Sequence, residues 1–189
     1  MRTSIHIGLW FVVLWLLIPA AGERKPQTQN ASAALLGPFA STYASVQWIR
    51  FDMALRDGEF ERAYARANHA LELDPQATSG WYTLGSHLVF DRGSLESEPN
   101  PSRRRNWIDA GLEVWMRGEA LLASAELAFV RGTTLIYVAL IADELEWPTG
   151  ARGALLESVA AFERAAARGE ARADEYAHLA RAQLNALAK

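Results

Sequence analysis

From Gly58 onward the chain spells a repeating unit. Gly58-x-Phe60-x-x-Ala63, then Ala67, Ala70 and Pro75, runs straight into Trp81-x-x-Leu84-Gly85. Small residues at three- and four-residue steps line one narrow helix face, and the proline stops that helix before the next begins. Gln47 stands where a tryptophan like Trp81 would fall one period earlier, at a spacing of about 34 residues. A pair of antiparallel helices of this length cannot bury its apolar face alone and must stack on a neighbouring pair. The chain is therefore expected to be all-α, built from stacked helix pairs.

The same signature returns near the C-terminus, where Phe162-x-x-Ala165 leads into Tyr176-x-x-Leu179-Ala180. Between them, Ala125 to Tyr137 reads as another front half, with Gly132 at the small site. These later units start more than one period apart, so they are enlarged, and the last is a half unit. On these residues, from about Ala44 to Lys189, the chain resembles tetratricopeptide repeat (TPR) proteins. With its N-terminal segment it resembles bacterial single-span, membrane-anchored TPR proteins.

The resemblance implies a TPR-like α-solenoid over residues 38–189. It also implies a concave groove, lined by the first helix of each unit, that holds an extended peptide or a partner helix. Carried over residue by residue, that face comprises Trp48, Asp52, Leu55 and Arg56, then Tyr82, Ser86, Val89 and Phe90. It continues with Phe129, Thr133, Ile136 and Tyr137, and ends with Asp174 and Arg181. Trp48, Tyr82 and Phe129 put an aromatic at one recurring place, and aromatics with a few charges are what an interface anchor needs. The groove candidates are thus Trp48, Asp52, Arg56, Tyr82, Phe90, Phe129 and Tyr137. In a competing reading Trp48 is a displaced packing tryptophan and the segment Ser32 to Tyr43 fills the groove. The arginine clamp of carboxylate-binding members is not recognisable.

The run Ile5 to Ala21 is apolar except for His6, with Pro19 interrupting it. At ~1.5 Å per residue it spans about 26 Å, slightly short of a ~30 Å hydrocarbon core and longer than an ordinary signal core. Ala20-Ala21-Gly22 offers small residues for cleavage before Glu23. Residues 1–22 are therefore expected to be a transmembrane anchor or a signal sequence, and the polar stretch 23–37 a linker. The expected location is the cytoplasmic (inner) membrane, single-pass, with the repeat domain on the extracytoplasmic side. The alternative is a secreted, periplasmic protein.

With 189 residues, half of them hydrophobic, the chain suits one domain plus this segment. Lys25 and Lys189 are the only lysines, and the arginine and alanine bias is that of a GC-rich bacterial genome. A net charge of −3 provides no basic stripe for nucleic acid. The absence of cysteine excludes disulfides, thiolate catalysis and cysteine zinc sites. His6, His69, His87 and His178 never pair at helical spacing, so no metal is expected. Asp143, Glu144 and Glu146 read as a solvated helix end, and Arg103-Arg104-Arg105 as a loop edge or a contact for lipid phosphate or an acidic partner. No phosphate loop, nucleophile elbow or zinc-hydrolase helix occurs. No catalytic residue, cofactor or small-molecule substrate is expected. The composite expectation is a non-enzymatic protein–protein interaction or assembly scaffold at the membrane, or else a permanent structural subunit of a larger membrane complex.

Periodicity and breakers place helices at Phe39 to Asp57, with Phe39, Tyr43, Val46, Ile49 and Met53 as its apolar positions, at Glu59 to Leu73, and at Ser79 to about Asp91. A loop at 93–102 precedes a helix capped by Ser102 and ended by Gly118. Leu121 to Glu146, Leu155 to Arg168 and Ala173 to Leu187 complete the set.

Overall fold

The computed structural model describes residues 35–187. They form seven α-helices and no strand: α1 Ala40–Arg56, α2 Phe60–Leu73, α3 Thr78–Ser86, α4 Pro101–Leu122, α5 Ala125–Leu140, α6 Gly150–Ala167 and α7 Ala173–Ala186. A short 3₁₀ turn, Gly37–Phe39, leads into α1, and α3 continues as a widened π-helical turn over His87–Arg92. Each helix packs on its successor in the chain, and α3 touches α5 as α5 touches α7. Among the described residues no helix is long and apolar enough to cross a membrane, and the segment Ile5 to Ala21 lies outside them.

The turns arise from the residues that make them. Gly58 takes a φ of +75°, where a Cβ would be strained, and releases the chain from α1 into α2. Asn100 rather than Ser102 caps α4, its side-chain oxygen accepting the Arg103 N–H at 3.0 Å, with Pro101 at the first helical position. The stop expected at Gly118 is displaced: α4 runs on to Leu122, and Ala123 turns left-handed with a φ of 50°. Gly118 is kept inside the helix because a Cβ there would meet Trp81 Cγ at 2.6 Å. The expected single helix from Leu121 to Glu146 is likewise divided. Ser124 caps α5 by accepting the Leu127 N–H, and hydrogen-bonded turns replace helix beyond Leu140.

Two helix pairs cross by one device. In α3 and α4, Gly85 lies under the Trp115 indole; in α5 and α6, Gly132 lies under the Phe162 ring, 2.7 Å from where a Cβ would stand. Trp115 and Phe162 are fully buried, so each glycine exchanges a side chain for the close approach of an aromatic worth several kcal/mol of transfer, on the order of 2–3. Trp81 closes the same layer, donating its Nε1–H to the Pro75 carbonyl at 3.0 Å. Gln47, at the tryptophan position of α1, is also fully buried, and its Oε1 accepts from Arg66 on α2.

The buried face of α1 differs from the one its apolar periodicity marks. Ala44, Gln47, Phe51 and Ala54 face the core, whereas Phe39, Ile49 and Met53 are 70%, 61% and 57% exposed. Small alanines let α2 approach on the first face. On the second face Tyr43 meets His69 of α2 edge-on at 6.2 Å, while Phe39, Ile49 and Met53 stay largely in the open.

The charged runs are internal staples. Arg104 is buried and gives an Nη–H to Glu144 at 2.6 Å, while Arg105 donates to the Glu146 carbonyl at 2.7 Å. The arginine run and the acidic run thus pin the start of α4 to the turn after α5, in place of a free loop edge and a free helix end. Glu119, buried on α4, gathers three arginines. Arg164 donates through Nε at 2.6 Å, Arg168 through Nη1 at 2.9 Å, and the Arg131 guanidinium stands 3.9 Å away. Burial pulls its carboxyl pKa up, but Arg164 and Arg168 outweigh that and hold it below the ordinary carboxylate value.

Candidate functional site

The sequence-derived face divides on folding. Trp48 packs edge-on against Phe51, reaches Gly80 and lies against the Ala44, Ala70 and Leu73 cluster, so it serves the core between α1, α2 and α3. Phe129 is enclosed by Phe162 and Tyr176, with ring centroids at 5.5 and 5.1 Å, and is capped by the Arg172 guanidinium at 4.6 Å. Val89 is buried against Gly111. Arg56, Tyr137 and Asp174 are exposed, and Arg181 pairs with Glu163.

Asp52, Tyr82 and Phe90 come together. They line a cleft of about 390 Å³ between α1 and α3, along with Phe51, Leu55, Thr83, Ser86, His87 and Asp91. Phe51 and Leu55 alternate with Asp52 on α1, because helical steps of three and four return the chain to one face. Tyr82 and Phe90 keep 40% and 51% of their surface exposed. The widened turn does the rest: the Gly93 N–H reaches back five residues to the Leu88 carbonyl, so Leu88 and Val89 turn inward while Phe90 and Asp91 face out. The described part of the segment expected to fill the groove, residues 35–43, does not line this cleft.

His87 and Asp91 belong to the cleft and were not anticipated. Their four-residue spacing was the available signal, since one helix face can carry both. The His87 Nδ1–H donates to the Asp91 carboxylate at 2.7 Å, and Nε2 shares a hydrogen bond with the Tyr64 hydroxyl at 3.4 Å. Burial pushes the Tyr64 phenol up, which keeps that hydroxyl protonated. Phe51 meets the imidazole edge-on at 5.6 Å. The ring is held by Asp91, Tyr64 and Phe51, and none of the cleft hydroxyls, of Tyr82, Thr83 and Ser86, bonds to it. Such an arrangement positions charge and aromatic surface at an opening.

A second hollow, of about 240 Å³, lies where α4, α5, α6 and the loop at 147–149 meet, lined by Asp109, Glu113, Arg131, Trp147 and Glu157 among others. Arg131 Nη2 stands 3.6 Å from Glu157, and burial raises the Asp109 pKa, with Glu157 adding to it and Arg105 opposing. Among the described residues no group of three histidine or acidic side chains could hold a metal.

No family model matches the chain, and neither a curated protein nor a solved structure matches it.

Proposed function

We propose that this chain is a non-enzymatic scaffold of the TPR-like, α-solenoid kind that docks a protein partner in the α1–α3 cleft. The single observation that carries the reading is the convergence of Asp52, Tyr82 and Phe90 with Asp91 in one opening, where half-exposed aromatics stand beside carboxylates. Exposed aromatics next to charge are the raw material of an interface anchor. The solenoid part rests on the paired Gly85–Trp115 and Gly132–Phe162 crossings and on the contacts of α5 with α3 and α7. The membrane part, with the helical domain outside the cytoplasm, rests on the apolar run Ile5 to Ala21.

One observation favours a second reading, a permanent structural subunit: Phe39, just before α1, and Ile49 and Met53 on it leave apolar surface largely exposed among the described residues. Purification of the full chain from native membranes in mild detergent, with identification of co-purifying proteins, tests both. A partner that washes away with salt supports docking in the cleft. A stoichiometric, salt-resistant assembly supports the structural subunit, and the chain alone in both washes counts against each.

A further inference from the structure

We propose that the partner of the α1–α3 cleft is a protein segment that presents an arginine or lysine beside an apolar side chain. This rests on the cleft being a docking surface and adds its chemistry. The side chains that line the cleft include two carboxylates, Asp52 and Asp91, and no arginine or lysine. Arg56, one turn from Asp52 on α1, stays outside the lining and forms no ion pair with it. Asp91 spends one oxygen on His87 and keeps the other free, with its side chain 69% exposed. An acidic segment would meet two like charges here, and a purely apolar one would leave both carboxylates to be desolvated without a partner.

The aromatic surface points the same way. Tyr82 and Phe90 line the wall that carries Asp91, and a guanidinium or ammonium is attracted to an aromatic ring while a nearby carboxylate takes its N–H donors. Phe51 and Leu55 supply the opposite, apolar wall, where a neighbouring aliphatic side chain gains by burial. Ser86 Oγ, also in the lining, has no hydrogen-bond partner. A volume of about 390 Å³ falls at the small end of the roughly 300–1,000 Å³ of ligand sites, a size for one or two side chains of a docked segment.

The test is selection of a random 12-residue peptide phage library on the immobilised full chain in mild detergent, with Tyr82→Ala and Asp52→Asn/Asp91→Asn as parallel baits. The expected result is enrichment of peptides with arginine or lysine next to an apolar residue. Synthesised, these should bind the doubly neutralised variant roughly tenfold more weakly and lose affinity as salt rises. Asp52→Asn alone, which removes no hydrogen bond or ion pair in the fold, reads the same effect if the double variant melts early. Neutral or acidic peptides that are still lost on Tyr82→Ala overturn the basic partner and leave the cleft as a docking site. So do basic peptides indifferent to both aspartates. Enrichment indifferent to Tyr82→Ala, or no enrichment, overturns the cleft itself.

Discussion

Gly85 and Trp115 meet so closely that a Cβ on Gly85 would stand 2.2 Å from the indole Nε1. The indole Nε1–H donates to the Tyr82 carbonyl of the same helix as Gly85 at 3.3 Å, so the ring is tied to α3 and cannot step away without losing that bond. Gly85→Ala should therefore cost about 1–3 kcal/mol, the usual range for overpacking. Thermal melts beside Glu96→Ala, in the exposed loop, check this; Asn100 is unsuitable for comparison because it caps α4. Equal Tm values would remove the crossing from the account of stability.

Tyr82 itself separates docking from packing. Its backbone carbonyl accepts from Trp115, while its side chain makes no hydrogen bond in the fold and the residue stays 40% exposed. Tyr82→Ala should leave helical content and Tm nearly unchanged and weaken capture of the partner by ~2 kcal/mol or more. Retained capture would move the interface elsewhere on the molecule.

Glu119 makes stability depend on acid. Its folded pKa is lowered, so its contribution is fully present above the unfolded value near 4.5 and is lost as pH falls through the lower folded one. Glu119→Gln should cost about 2–4 kcal/mol at neutral pH, because Arg164 and Arg168 lose their shared carboxylate. Urea titrations from pH 3 to 7 read both effects. The variant should flatten the acid limb, and a variant as acid-sensitive as the wild type would contradict the assignment.

Arg104 and Glu144 should respond unequally. The arginine is buried and its Nε has no partner, whereas the glutamate is half exposed. Glu144→Ala strands a buried charge and should cost about 2–3 kcal/mol, but Arg104→Met replaces that charge by packing and should cost about 1 kcal/mol or less. Denaturant midpoints of the two variants decide the order.

The proposed placement of the helical domain outside the cytoplasm predicts that protease added to spheroplasts digests it while a cytoplasmic marker survives. Protection of the domain would reverse the orientation. A mature N-terminus at Glu23 would replace the anchor by a cleaved signal.

What the sequence by itself determined was local. Alanine faces, Pro75 and Gly58 set the α1–α2 and α2–α3 boundaries, and Gly85 and Gly132 marked the sites of close approach, because periodicity and backbone conformation act within a few residues of one another. Aromatic recurrence suggested one shared surface for Trp48, Tyr82 and Phe129. Only the tertiary structure sent Trp48 and Phe129 into the packing and left Tyr82 at an opening with Asp52, since that depends on which helix lies across each face. The same holds for α1, whose more apolar face stayed outside because the alanine face allows α2 nearer. Arg104 with Glu144, and Glu119 with Arg131, Arg164 and Arg168, are partners far apart in the chain. Their charges carry no local pattern by which to find one another, and they become neighbours only when the helices stack.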